Sequence, residues 1–175
     1  THHAIFDVAI LRALPKMTII TPADGAAIDK LLPQVADWPG PVYFRLSRND
    51  VPVVYEEQFA PQIGEAHLVR AGGDVTLIAN GVMVERCLQA AGILAQAGID
   101  ACVLDMHTTK PLDVDAVLAA ARETGAIVTA EEATIVGGLG GAVAEVLGET
   151  LPTPLKRVGV KDRFTETGPY HALLD

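Results

Sequence analysis

Four short stretches of this chain carry residue types that do chemistry. The first is Thr1-His2-His3, just ahead of a helical pattern. A histidine at a helix start can donate to an anionic or hydroxylated ligand. Adjacent histidines do not easily share a metal ion as an i, i+4 pair does, and a pair of solvated side chains at a helix start is the other reading. The second is Arg45-Leu46-Ser47-Arg48, which closes a strand-like run over residues 42–46. An arginine there, beside a small hydroxyl, suits a phosphate gripped by a planar fork; a solvated turn suits it equally. The third is Glu131-Glu132, at the C-terminal end of a predicted strand, where α/β sheets place function. Neighbouring carboxylates on a strand face opposite ways, so the pair reads as capping or an interface role rather than an acid/base couple. The fourth is Gly137-Gly138-Leu139-Gly140-Gly141, which follows a strand and opens a helix, the setting of a phosphate on a helix N-terminus. The spacing departs from a dinucleotide fingerprint, because the third glycine position is Val143, and no P-loop lysine follows. A tight turn with close helix–strand packing explains the glycines as well.

Those stretches need a scaffold, and the composition says which kind. Half of the 175 residues are hydrophobic and only 5% are aromatic, which suits parallel strands alternating with helices. Residues 1–50 carry five acids and five bases, so the net charge of −9 falls wholly on the remainder. That remainder is a poor surface for nucleic acid or an anionic membrane, whereas the neutral first segment can hold a local anion site. No apolar run approaches the roughly 20 residues that span a bilayer. Cys87 and Cys102 lie in apolar surroundings without metal or redox spacing, and read as core thiols of a reducing compartment, pointing to the cytoplasm.

Along the chain, helical spacing over residues 5–14 ends at Pro15, and residues 17–20 read as a strand. Thr21-Pro22-Ala23-Asp24 opens a helix to about residue 36, with a possible kink at Pro33, and residues 42–46 form a second strand. This tail is half a domain, and the opening at Thr1 without methionine leads us to expect an N-terminal portion elsewhere. Residues 49–63, rich in Pro, Glu and Gln, read as a linker. From residue 64 the pattern repeats: strands at 65–70, 74–79, 100–105, 126–131 and 155–160, and helices at 82–97, 114–124, 141–149 and 170–174. Repeated units of this size predict a mainly parallel sheet with right-handed crossovers.

Taken together the segments resemble the transketolase family. Thr1-His2-His3, Leu11-Arg12-Ala13-Leu14-Pro15-Lys16-Met17-Thr18, Pro22-Ala23-Asp24 and Gly40-Pro41-Val42-Tyr43-Phe44-Arg45-Leu46-Ser47-Arg48 are similar to the second half of its pyrimidine-binding domain. Met106-His107-Thr108-Thr109-Lys110-Pro111-Leu112-Asp113, the glycine-rich stretch through Glu145, and Val158-Gly159-Val160-Lys161-Asp162-Arg163-Phe164 resemble its C-terminal domain. The resemblance runs over nearly the whole chain in one order and is greatest to the C-terminal subunit of split transketolases. It implies an α/β fold: residues 1–48 as the C-terminal part of a pyrimidine-binding domain, a linker at 49–63, and a three-layer C-terminal domain at 64–175. It implies transfer of a two-carbon ketol unit between sugar phosphates with thiamine diphosphate and Mg2+. The family's cofactor glutamate and Gly-Asp-Gly metal motif lie upstream of anything present here. No metal ligand is therefore assigned, tight cofactor binding by this chain alone is not expected, and an N-terminal partner is. Self-association through the C-terminal domain is also expected. By resemblance His2 contacts the reacting sugar hydroxyls, and Arg48 grips the acceptor phosphate with Ser47 beside it. The aspartate expected shortly before His2 is absent. Deoxyxylulose-phosphate synthase is the nearest alternative: the Phe6-Asp7 pair leans its way, while Leu46-Ser47-Arg48 does not. The beta subunit of two-oxoacid dehydrogenases should lack His2 and Arg48, and a dimerisation module without catalysis is the reading of another class.

Overall fold

A computed structural model describes residues 4–169. The first segment holds α1 (Asp7–Arg12), β1 (Thr18–Ile20), α2 (Gly25–Val35) and β2 (Val42–Phe44). Asp24 caps α2, its Oδ1 accepting from Ala27 N at 2.8 Å, and Pro33 sits in the last turn of the helix. The second segment runs β3 (His67–Arg70), β4 (Val75–Ala79), α3 (Met83–Gln96), β5 (Ala101–Asp105), β6 (Thr108–Lys110), α4 (Val114–Thr124), β7 (Ile127–Thr134), α5 (Leu139–Thr150) and β8 (Leu155–Val160). The helix expected at 170–174 lies outside the described residues.

The larger sheet has the order β3-β5-β4-β7-β8, parallel except for β3, which is antiparallel to β5. Period-two alternation splits its side chains between two cores. Leu77, Ala79, Ala101 and Val103 face α3, with Ala27 and Leu31 of α2 in the same cluster. Ile78, Cys102, Leu104 and Ile127 face α4 and α5 through Val117, Ala121, Leu139 and Val143. Helices thus cover both faces, giving three layers.

The smaller sheet, β2-β1-β6, contains a strand from each half of the chain. β6 pairs antiparallel with β1, and Lys110 at its end donates from Nζ to the Arg12 and Leu14 carbonyls at 2.7 and 2.6 Å. β6 was not expected from the sequence. Strand β2 also differs from expectation: it stops at Phe44 rather than residue 46. Its partner β1 ends at Ile20, whose carbonyl takes Arg45 N, and Thr21 N turns away to His107 O, so Leu46 has no ladder to join.

Residues 49–63 carry no helix or strand but are strapped down. Tyr55, Phe59 and Ile63 are buried in the α3-side core. Asp24 Oδ2 accepts from Val54 N and Tyr55 N at 2.7 and 2.9 Å, and Gln34 bonds both Pro61 O and Ile63 N.

Candidate functional site

The end of β2 meets α1 and the end of β7 at one guanidinium. Arg45 Nε donates to Asp7 Oδ2 at 2.9 Å, and its Nη2 donates to Ala4 O at 3.0 Å and Glu132 O at 3.1 Å. Its Nη1 lies 3.6 Å from Glu132 Oε2. Tyr43 donates to the same Asp7 oxygen at 2.7 Å, and burial together with that carboxylate pushes the Tyr43 phenol up from its ordinary value. These commitments take Arg45 out of consideration as a phosphate ligand: the side chain is 14% exposed and every nitrogen faces a protein oxygen.

Arg48 lies in an exposed bend four residues past the end of β2, not at the strand end. Ser47, in the same exposed stretch, donates from Oγ to Asn49 O at 3.3 Å. Ser47 and Arg48 therefore share one solvent-facing turn. His2 lies outside the described residues, but Ala4, two positions later, is held by Arg45, so the described part of the N-terminal segment is tied to the strand that leads into Arg48.

The two acidic neighbours divide as strand alternation requires. Glu132 turns toward Arg45, and Glu131 is buried under α5, accepting from Leu139 N and Gly140 N at 2.8 Å each. Burial pushes the Glu131 carboxyl up, while those two backbone donors pull it down. The glycine-rich stretch now has a physical account. A Cβ at Gly138 would lie 1.9 Å from Glu131 Oε2, and one at Gly140 would lie 2.6 Å from Thr129 Oγ1. The helix N-terminus that could have taken a phosphate is filled by the chain's own carboxylate. Asp24 and Asp113 fill the N-termini of α2 and α4 in the same way. Among the described residues no group of three or more His, Cys, Asp or Glu side chains could hold a metal ion.

Sequence reasoning missed a buried polar cluster below the strap. Tyr55 Oη donates to Asp105 Oδ2 at 2.7 Å, and Tyr55 stacks on Phe59 with ring centroids 3.6 Å apart. His67 sits edge-on to both rings. Burial first, then the charge of Asp24, pushes Asp105 up to about 7 against the pull of the Tyr55 hydroxyl. Burial, with His67 adding, pushes His107 down to about 4. Asp105 and Tyr55 are fifty positions apart, so no spacing motif announces them. Cys87 and Cys102 are free and buried, and burial pushes the Cys87 thiol up to about 12, which suits packing rather than reactivity.

An apolar cleft of about 420 Å³ opens between α1 and the β7–α5 turn, lined by Phe6, Ala9, Ile10, Val136 and Gly137 with Asp162 at its side. Ile10 and Val136 are 66% and 59% exposed. No helix among the described residues is long and apolar enough to cross a membrane.

Comparison with known proteins gives a consistent result. Residues 64–175 match the family described as transketolase, C-terminal domain, and residues 1–54 match transketolase, pyrimidine binding domain. The chain is 49% identical over 168 residues to the 6-deoxy-6-sulfo-D-fructose transketolase subunit of a Clostridium species, covering 96% of this chain and 52% of that protein. It is 41% identical to a 1-deoxy-D-xylulose-5-phosphate synthase of Geobacter sulfurreducens, covering 97% of this chain and 27% of that protein. A solved split-gene transketolase, described as an inactive β4 tetramer, superposes with a TM-score of 0.94 at 45% identity, over 98% of this chain and 56% of that one. The chain spans about half the length of its split-transketolase relatives.

Proposed function

The chain belongs to the transketolase family, and from that premise we propose that it is the C-terminal part of a thiamine-diphosphate-dependent transketolase. The enzyme moves a two-carbon ketol unit between sugar phosphates in the cytoplasm. The observation that carries this reading is the match of both halves, in order, to split transketolases at 49% and 45% identity. Residues 1–48 are the end of the pyrimidine-binding domain, 49–63 the strap between the domains, and 64–175 the C-terminal domain. Thiamine diphosphate and Mg2+ are held mainly by residues of an N-terminal portion or subunit.

Within the assembled site, His2 donates to the hydroxyls of the reacting sugar. Arg48, exposed on its turn with Ser47 beside it, grips the acceptor phosphate with a planar fork. Copies of the chain associate, and the exposed apolar cleft at Phe6, Ile10 and Val136 is a surface suited to such contact.

The likeness to 1-deoxy-D-xylulose-5-phosphate synthases favours one alternative, a fragment that condenses pyruvate instead. Product analysis separates the two. The chain combined with its N-terminal portion is offered a ketose phosphate donor with ribose phosphate, and pyruvate with an aldose phosphate. Ketol transfer in the first mixture alone supports the transketolase reading, and carbon dioxide release in the second alone overturns it.

A further inference from the structure

Arg48 sits on a loop whose two ends are both fastened to the C-terminal domain. Residues 46–54 carry neither helix nor strand, and 46–50 are exposed. At the near end Arg45 acts as a clamp, donating from Nη2 to Ala4 O and to Glu132 O on β7, and from Nε to Asp7. At the far end Tyr55, 7% exposed, donates from Oη to Asp105, the last residue of β5. The backbone is held there as well, because Asp24 Oδ2 accepts from Val54 N and Tyr55 N. Asp24 is itself fixed, since its Oδ1 caps α2. Strands β5 and β7 flank β4 in parallel, so both fastenings stand on one sheet, toward the C-terminal ends of its strands. Between them Ser47 Oγ donates to Asn49 O, a local brace across Arg48. Arg48 is three residues from the clamp, a reach of about 11 Å at most. A loop closed at both ends samples fewer conformations than one held at a single end, and a ligand that meets it pays less to order it.

We propose that Tyr55, bonded to Asp105 of β5, is a positioning residue for Arg48, and that the C-terminal domain sets the grip on the acceptor phosphate by holding this loop. The proposal rests on the reading of Arg48 given above. It assigns a part in acceptor recognition to a domain that holds none of the proposed substrate contacts. Freeing the far end leaves Arg48 on the loop but raises the cost of ordering it, so the loss should be a fraction of that caused by removing the guanidinium.

The test uses the chain assembled with its N-terminal portion, a phosphorylated acceptor, and glycolaldehyde as the unphosphorylated one. Tyr55→Phe removes the hydroxyl and keeps the ring that stacks on Phe59. It should raise KM for the phosphorylated acceptor about 3- to 10-fold, with kcat and the glycolaldehyde KM within about twofold of wild type. Asp105→Asn, which keeps an acceptor for the hydroxyl, should raise that KM by less. Added to Arg48→Ala, Tyr55→Phe should cost nothing more, since a grip that is absent cannot be misplaced. Amide exchange in the peptide covering residues 46–54 should quicken in Tyr55→Phe. Asp24→Asn, with an amide nitrogen in place of Oδ2, loosens the same end of the loop. It should raise the same KM, and it covers the case in which Tyr55→Phe folds poorly. A phosphate-specific defect in Arg48→Ala beside an unchanged KM in Tyr55→Phe and Asp24→Asn overturns this inference alone. So does a Tyr55→Phe defect that falls equally on both acceptors, or that multiplies in full with that of Arg48→Ala, which marks general damage. An Arg48→Ala variant that treats both acceptors alike overturns the reading of Arg48 and this inference with it.

Discussion

Replacing Asp105 by asparagine and, separately, His107 by glutamine should change the pH dependence of stability in opposite directions. Both groups are 0% exposed, and burial acts on them with opposite sign. Asp105 rises from an ordinary 3.8 to about 7, so its contribution to stability is fully present below 3.8 and is lost as pH rises through about 7. His107 falls from 6.5 to about 4, so its contribution is fully present above 6.5 and is lost as pH falls through about 4. Between those limits the folded state keeps one proton on Asp105 that the unfolded chain has released. It also lacks one on His107 that the unfolded chain binds. Each imbalance is worth at most about 1.4 kcal/mol per pH unit, and in the wild type the two cancel. Asp105→Asn removes the falling component, so its unfolding free energy should climb relative to wild type from about pH 5 to about pH 6.5, by up to about 2 kcal/mol. His107→Gln should fall relative to wild type by a similar amount. Urea unfolding of the chain at four pH values across this window measures both, and taking differences from wild type removes the other titrating groups. Curves parallel to wild type would refute the reasoning about burial.

Glu131→Ala should strand two buried N–H groups at the start of α5 and cost about 2–5 kcal/mol. For a chain of this size that lowers Tm by about 5–15 °C. Glu131→Gln, which keeps one acceptor, should cost about half as much; a loss under about 1 kcal/mol in the alanine variant would remove the capping role. Arg48→Ala in the assembled enzyme should raise KM for phosphorylated acceptors by about 10- to 100-fold while sparing an unphosphorylated acceptor such as glycolaldehyde. Arg48→Lys should recover only part of that loss, because an ammonium lacks the fork, and equal losses with both acceptor classes would make Arg48 structural.

What the sequence disclosed and what it withheld follow from the range of each interaction. Helix α4 was readable to the residue because its signals are local: Asp113 bonds Ala116 N, and Gly125 takes the left-handed conformation at φ 67°. The alternation of Glu131 and Glu132 was readable for the same reason, and so was capping as a role. The helix that Glu131 caps was not named, since its donors are eight and nine positions on. Strand β6 is three residues long and pairs with a strand nearly ninety positions earlier, so periodicity had nothing to work on. The reach of β2 was overestimated because a strand ends where its partner ends, and β1 gives no sign of that in the residues of β2. The Arg45 clamp and the Tyr55–Asp105 bond join positions that only the folded chain brings together. Arg48 was expected to end a strand on a rigid footing, and it lies instead in an exposed bend past the end of β2.

The central claim, that this chain supplies one part of a shared thiamine diphosphate site, is tested most directly by calorimetry. Thiamine diphosphate with Mg2+ is titrated into the chain alone, into its N-terminal portion alone, and into the mixture. The account predicts no measurable binding to the chain alone and micromolar binding, accompanied by ketol transfer, in the mixture. Micromolar binding to the chain alone would contradict it, because the cofactor site would then lie among residues that have been assigned to capping and packing.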